Sequence, residues 1–388
     1  MADCVIPEGY KETALGVVPK EWEVKVLGDL CDSIKSGKNK EKANKGKYPV
    51  YGSTGIIGYT DISVYDGLMI LIARVGANAG FTYYVNGRYD VSDNTLILNV
   101  KSCYNFNFAY NQLLYYNLNK LVFGSGQPLV TAGQLKSLKI LLPPLSEQQK
   151  IAEILNVWDK AIEKQTQLIE KLELRKKGLM QQLLTGKKRL PGFGGEWKKV
   201  LLGDVACVVG GGTPDTEVNI YWNGSIPWFT PTEIGEEKYV AVSKRCITID
   251  GVNNSSAKIL PVGTILFTSR ASIGLKAILL KEATTNQGFQ SLIVNKDNDI
   301  EYVYYLLDII KNNLIRKASG STFLEISSSS MQRVSFEMPE LLEQTAIANI
   351  ISLCDNEILL AKQTLNKFSQ QKKGLMQVLL TGKKRVKQ

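Results

Sequence analysis

The segment Lys176–Arg189, KKGLMQQLLTGKKR, returns as Lys372–Arg385, KKGLMQVLLTGKKR, with thirteen of fourteen positions unchanged and an offset of 196 residues (372 minus 176). A unit of that length is far too long for a solenoid, whose repeats run to a few tens of residues. The chain therefore reads as two whole domains, each followed by the same helix. Working outward at the same offset, Pro143, Leu145, Glu147, Gln148, Ile151, Ala152 and Asp159 meet Pro339, Leu341, Glu343, Gln344, Ile347, Ala348 and Asp355. Further back, Gly124-Ser125 meets Gly320-Ser321, Asn99 meets Asn295, Leu96 meets Leu292, Arg74 meets Arg270 and Gly67 meets Gly263. At the front, Trp22 with Leu27-Gly28-Asp29 matches Trp197 with Leu202-Gly203-Asp204 at 175 residues, so the second copy carries 21 extra residues (196 minus 175). One expanded loop between Asp204 and Gly263 is the simplest account.

After each proline-marked boundary, apolar residues recur with heptad spacing. Ile151, Trp158, Leu172 and Leu179 share one position, and Leu155, Ile162, Ile169 and Leu183 another. The second copy gives Ile347, Cys354, Ala361, Phe368 and Leu375 with Ile351, Ile358, Leu365 and Leu379. Such a stripe predicts a coiled-coil helix. Because 196 is a whole number of heptads, the two stripes share one phase, which favours pairing with each other over pairing with a separate protein. Lys176 and Lys372 interrupt the stripe at matching places, and Gln165 interrupts it only in the first helix. Ser146 with Gln149 reads as a capping box at the first helix start. Gly186 and Gly382 suit helix ends. Roughly 40 residues at 1.5 Å each predict rods about 60 Å long.

Regions 21–142 and 196–338 are glycine-rich, with β-like runs at Leu68–Arg74, Thr95–Val100, Thr264–Arg270 and Ser291–Asn295 and one amphipathic stretch each, near 106–121 and 300–317. The predicted fold class is α+β: two repeated globular β-rich heads separated by two long antiparallel helices that form an intramolecular coiled coil. The boundaries are 1–142 for the first head, 143–189 for the first helix, 190–338 for the second head and 339–388 for the second helix.

Composition narrows the function. The 388 residues carry a net charge of +10 and no histidine. The first points to polyanionic partners. The second removes the serine triad, the commonest general base and histidine metal sites. Six scattered cysteines form no CxxC pair, and no apolar run reaches membrane-spanning length. Reduced thiols and a cytoplasmic location are the expectation. No GxxxxGK[ST] loop, GxGxxG fingerprint or NPPY/DPPY methyltransferase signature occurs, so no nucleotide, methyl donor or metal is expected on this chain. Pro214-Asp215 with Glu236-Glu237-Lys238 superficially matches a PD…ExK nuclease core, where two carboxylates and a lysine hold Mg²⁺. The alternative is a turn followed by a solvated charge cluster.

Candidate DNA contacts follow from side-chain chemistry. Arg74 and Arg270 each end an apolar strand before a glycine-rich loop, and an arginine there can fork onto guanine or phosphate. The alternative is that each ties down its own loop. Asn78, Asn94, Lys276 and Gln290 lie nearby with amide or ammonium groups. Lys38, Lys40, Lys42 and Lys45 form a basic loop, and Ser125, Gln127 and Ser321 belong to small-residue loops suited to phosphate contact.

With these residues in hand, the chain resembles the specificity subunit of type I restriction–modification enzymes. The resemblance rests on W-x4-LGD, GSGQP at 124–128, PP-x-x-EQ before a long helix, and the KKGLMQ…LLTG repeat, and it covers nearly the whole chain. The second copy departs at 323–324, where Phe-Leu replaces Gln-Pro. The resemblance implies two target-recognition heads, each reading half of a split, asymmetric double-stranded DNA site, with the paired helices setting the gap. It implies a non-catalytic chain that docks two methyltransferase subunits and restriction subunits. S-adenosylmethionine, ATP and Mg²⁺ are then expected on those partners. A coiled-coil adaptor for other proteins and a nuclease built on Asp215 and Glu236 are the competing readings.

Overall fold

The computed structural model describes residues 6–40, 45–122, 128–270, 272–319 and 324–386. It divides into two compact units, residues 1–167 with 363–388, and residues 168–362. Each unit holds one head and two helical segments.

In the first unit the main sheet is antiparallel, running Cys31–Ser36, Thr95–Val100, Met69–Ala73, Thr82–Val85. A second sheet places Tyr48–Gly52 between Gly55–Thr60 and Arg88–Val91, the latter pairing parallel. Alternation along a strand sends neighbouring side chains to opposite faces. Ile70 and Ile72 thus join the core against the Phe106–Tyr116 helix, while Leu71 and Ile97 join Tyr89 and Val91 on the other face. Both faces of the main sheet are buried. This explains why Met69–Ala73 reads as a continuous apolar run rather than an alternating one.

The second unit repeats the plan. Ala206–Gly210, Gln290–Val294, Ile265–Phe267 and Lys276–Leu279 form the main sheet, with Tyr239–Val240 added in parallel at its edge. Trp222–Phe229 pairs antiparallel with Arg245–Ile247 and parallel with Thr284–Thr285. The Ile300–Arg316 helix covers the main sheet.

Hydrogen-bond equivalences correct the single-loop expectation. The Lys38 amide donates to the Val91 carbonyl as Gly212 does to Thr285, an offset of 174. The Ser92 amide donates to Tyr51 as Asn286 does to Phe229, making 178 for the accepting strand. Tyr48–Thr60 and Ile226–Ile247 are corresponding strand pairs, so Thr60 maps to Ile247, an offset of 187. By Arg74 the offset is 195. The extra residues are therefore spread over three connections of the smaller sheet, where surface loops absorb insertions at little cost.

Both predicted long helices form, Leu145–Leu183 and Leu341–Leu379, each of 39 residues. Within each unit the helical segments run antiparallel. Trp158 meets Phe368 at 5.8 Å between ring centroids, and Lys372 pairs with Asp159 at 2.5 Å. In the second unit the repeat image, Lys176 to Asp355 at 2.5 Å, forms alongside Lys362–Glu173 and Arg175–Glu357. The lysines that interrupt the apolar stripe therefore pair with acids that recur at the same offset, a polar device that fixes register. Every predicted pairing residue is buried or half-buried: Ile151, Leu155, Trp158, Ile162, Ile169 and Leu172 on one helix, Ile347, Ile351, Ile358, Leu365 and Phe368 on the other. Ile151 and Leu155 also belong to the first head's core, with Leu379 and Leu380, and Ile347 and Ile351 to the second's, with Leu183 and Leu184.

One helix-start expectation fails. The first helix begins at Leu145, so Ser146 is already inside it, and the Pro144 carbonyl accepts from the Glu147 and Gln148 amides in place of a capping box. The ends match expectation: Gly186 and Gly382 have φ of 67° and 71°, and Lys188 and Lys384 amides reach back six residues to Gln182 and Val378. Each helix thus ends on a left-handed glycine whose own amide donates to the carbonyl three residues back. Among the described residues, no helix is long and apolar enough to cross a membrane.

Candidate nucleic-acid interface

The repeated motifs converge on one joint in each unit. In the first, the Trp22 indole N–H donates to Glu147 Oε2 at 3.0 Å, and Arg385 grips the same carboxylate while its Nη1 reaches Glu21. In the second, Trp197 and Arg189 bind Glu343 in the same way, with both Arg189 bonds at 2.7 Å. The side chains of Glu147 and Glu343 are 1% and 4% exposed, so these carboxylates depend on their arginines and indoles for solvation. The neighbouring glutamines do separate work. Gln148 accepts from the Asn105 amide and donates to the Pro143 carbonyl, as Gln344 does with Asp299 and Pro339. Asn105 and Asp299 are the N-caps of the two head helices. A Cβ at Gly186 would meet the Trp197 ring at 3.4 Å, so the helix-ending glycine also admits the tryptophan. W…EQ…GKKR is thus one joint, which clamps a head to the start of one long helix and the end of the other.

The divergent residues gather elsewhere, at the corner where main-sheet strand ends meet the smaller sheet. In the first head the Arg74 amide donates to the Asn94 carbonyl at 2.9 Å, and the Ser53 hydroxyl donates to the same carbonyl. Asn94, Asn78, Lys38, Lys40 and Lys45 are exposed, and Arg74 is half-buried without an ion pair among the described residues. Lys42, Ser125, Gln127 and Ser321 lie outside the described residues.

In the second head the expected pairing of Arg74 with Arg270 is off by one. The Ser269 amide donates to Gly288 as Arg74 does to Asn94, and Ser269 accepts from Ile326 as Arg74 does from Val130. Arg270 instead matches Val75, since Arg270 bridges Glu325 as Val75 bridges Leu129. The two arginines therefore leave their strands at different positions. Two further expectations change. Lys276 is 7% exposed, ion-pairs with Asp308 and lies 4.4 Å above the Tyr304 ring, so it fastens the sheet to the head helix instead of facing solvent. Burial holds its ammonium pKa below the usual lysine value, with Asp308 opposing. Gln290 sits in a main-sheet strand opposite Gly210, half-buried, with its Oε1 shut off from solvent. The exposed amide at this corner is Gln287, one of the residues the sequence reading missed. Only its neighbourhood to the TTNQG turn could have marked it.

The nuclease constellation does not assemble. Asp215 accepts its own loop's Glu217 amide, and its carbonyl takes the Trp222 indole N–H. Lys238 is turned to Glu301, Tyr305 and Ser352. Glu236 stands exposed. Among the described residues no cluster of acids and cysteines could hold a metal.

Two heads of one topology, fixed by one joint and differing at one corner, define a duplicated recognition scaffold. The family model for the type I restriction modification DNA specificity domain matches residues 19–174 and again 194–370, and the chain belongs to that family. It is a specificity subunit, the non-catalytic class of such systems. A specificity subunit of a type I restriction enzyme from Methanocaldococcus jannaschii is 39% identical over 167 residues, covering 42% of this chain and 39% of the relative. A second, described as putative, from the same organism is 27% identical over 98% of this chain and 97% of its own length. A specificity subunit from Escherichia coli is 27% identical over 89% of each. Among solved structures, the S subunit of a type I restriction-modification system from M. genitalium superposes with a TM-score of 0.59 at 19% identity, over 92% of this chain and 96% of that one. A structure reported for complex assembly and conformational transition of the type I R-M system gives 0.60 at 18% identity, over 94% and 99%. At these identities the likeness speaks for the fold alone.

Proposed function

We propose that the chain reads a bipartite, asymmetric double-stranded DNA site, one half-site per head, within a type I restriction–modification complex. The observation that carries this is the pattern of sameness and difference: the joints of the two units are built on the same tryptophan, glutamate, glutamine and arginine, while the exposed corner of each head carries its own side chains. A protein that recognised one ligand twice would keep the corners alike. Paired helices with one heptad phase suit a spacer that sets the number of unread base pairs between half-sites. The charge of +10 suits phosphate contact. Two methyltransferase subunits and restriction subunits are the partners this reading calls for, with S-adenosylmethionine, ATP and Mg²⁺ bound there, and the cytoplasm is the compartment. Methylome sequencing of cells carrying the chain with its methyltransferase tests it. A motif of two specified halves with a constant gap is the expected result, and a continuous motif, or none, contradicts it.

A further inference from the structure

The corner of the second head carries two polar side chains, Arg270 and Gln287, that make no ion pair among the described residues. Arg270 follows the Ile265–Phe267 strand, and its Nε passes so near Gly288 that a Cβ there would lie 3.4 Å away. The same Cβ would fall 2.8 Å from Pro231 Cγ. Asn94 occupies the matching position in the first head, where the hydrogen-bond pattern is the same. Gly288 therefore leaves room for Pro231 and for the Asn286 carboxamide oxygen, which a Cβ would meet at 3.0 Å, with the Arg270 Nε alongside. Among the described residues the Arg270 guanidinium has no ion pair, although its backbone bridges Glu325.

Gln287 is exposed and directly precedes that glycine. Its Oε1 accepts the Thr213 hydroxyl from the Gly-rich loop of the neighbouring strand end. That bond uses one Oε1 lone pair. The Nε2 hydrogens and the second Oε1 lone pair remain available. Those are the groups a glutamine needs to accept from adenine N6 and donate to N7, just as an arginine fork matches guanine O6 and N7.

Building on the DNA-reading function above, we propose that Arg270 and Gln287 are the base-reading pair of the second head, specific for guanine and adenine, with Thr213 as a positioning residue for Gln287. The first head presents the same two chemical classes, Arg74 and Asn94, from different positions of the repeat. The heads then share a chemical vocabulary without sharing a geometry, as two unlike half-sites require.

The test is methylome sequencing with the full chain and its methyltransferase, comparing the parent with Gln287→Glu and Arg270→Lys. A carboxylate at 287 cannot donate to adenine N7 but can accept from cytosine N4. Gln287→Glu is expected to shift one adenine of one half-site toward cytosine, changing discrimination there by roughly ten- to a hundredfold. Arg270→Lys, which loses the planar fork, is expected to relax one guanine of that same half. The other half and the gap stay constant, which also shows that both variants fold and assemble. Two variants with the parental motif would overturn the assignment and leave the DNA-reading function standing. Loss of both halves together would also overturn it, because an exposed amide that reads one base cannot silence the other head. A parent chain that yields no bipartite motif would instead sink the reading on which the inference rests.

Discussion

The two heads use the same joint but unequal fastenings to their helical segments. In the first unit, Asp159 takes Lys372, with Trp158 packed on Phe368 nearby. In the second, Asp355 takes both Lys176 and the Tyr305 hydroxyl, and a web of Ser352, Glu301 and Lys238 continues from there into the head. Duplication preserved what both halves need to fold. The second half carries a polar network with no counterpart among the described residues of the first, whose head helix has Asn107 and Asn111 where Glu301 and Tyr305 stand. That network draws on Lys238, which lies within one of the three insertions. The added chain therefore also serves attachment.

Several changes would break or sharpen this comparison. Truncating the fully buried Leu155 or its image Ile351 to alanine should cost each unit about 2–5 kcal/mol, and by similar amounts, since both join head core to helix. Denaturant unfolding followed by a probe in each unit measures this; a large inequality would mean the joints are not equivalent. Next comes Glu147→Ala, which leaves the buried Trp22 N–H and the Arg385 fork without their acceptor at about 2–3 kcal/mol, and should lower the first unit's stability selectively. A smaller effect separates the two fastenings. Asp355→Asn loses charge-assisted bonds to two partners and should destabilise by about 1–2 kcal/mol more than Asp159→Asn, which loses one. Equal melting shifts would show that the web adds nothing.

Smallest in size is the effect of Lys276→Met. A lysine pKa lowered by burial means that the folded state holds fewer protons than the unfolded one between that value and 10.5. Its contribution to stability therefore rises with pH through that window and is worst near neutrality. Because the Asp308 side chain is 44% exposed and water can solvate it alone, replacement by methionine should be neutral or mildly stabilising at pH 7, and the gap between variant and parent should close as pH approaches 10.5. Melting curves across that range decide it, and a strongly destabilised variant at neutral pH would show that the pair with Asp308 outweighs the burial cost.

Much of this architecture was readable in the residues. The strand Thr95–Val100 and the helix near 300–317 stand where apolar patterning put them, and the stripes on the long helices mark the buried positions. These are elements whose period is enforced by burial along many residues. The corner was less legible, for two physical reasons. Helices tolerate no gaps, so the identity of 176–189 with 372–385 imposes an offset of 196, yet the sheets shift locally through their loops and through a bulge beside Asn99 in the first head. Arg74 and Arg270 align by letter and not by hydrogen bond. Secondly, residue type does not announce burial: Lys276 carries a group suited to DNA but is spent on Asp308, while Gln287 stood one turn away from the residues that patterning singled out.

The central claim is that each head reads its own half-site, independently, from a shared scaffold. Replacing residues 200–338 with the corresponding head of a relative of different specificity, followed by methylome sequencing, tests it most directly. The account predicts a hybrid motif in which one half changes, the other half persists and the gap between them is unaltered. A motif changed in both halves, or a parental motif that survives the exchange, would contradict it.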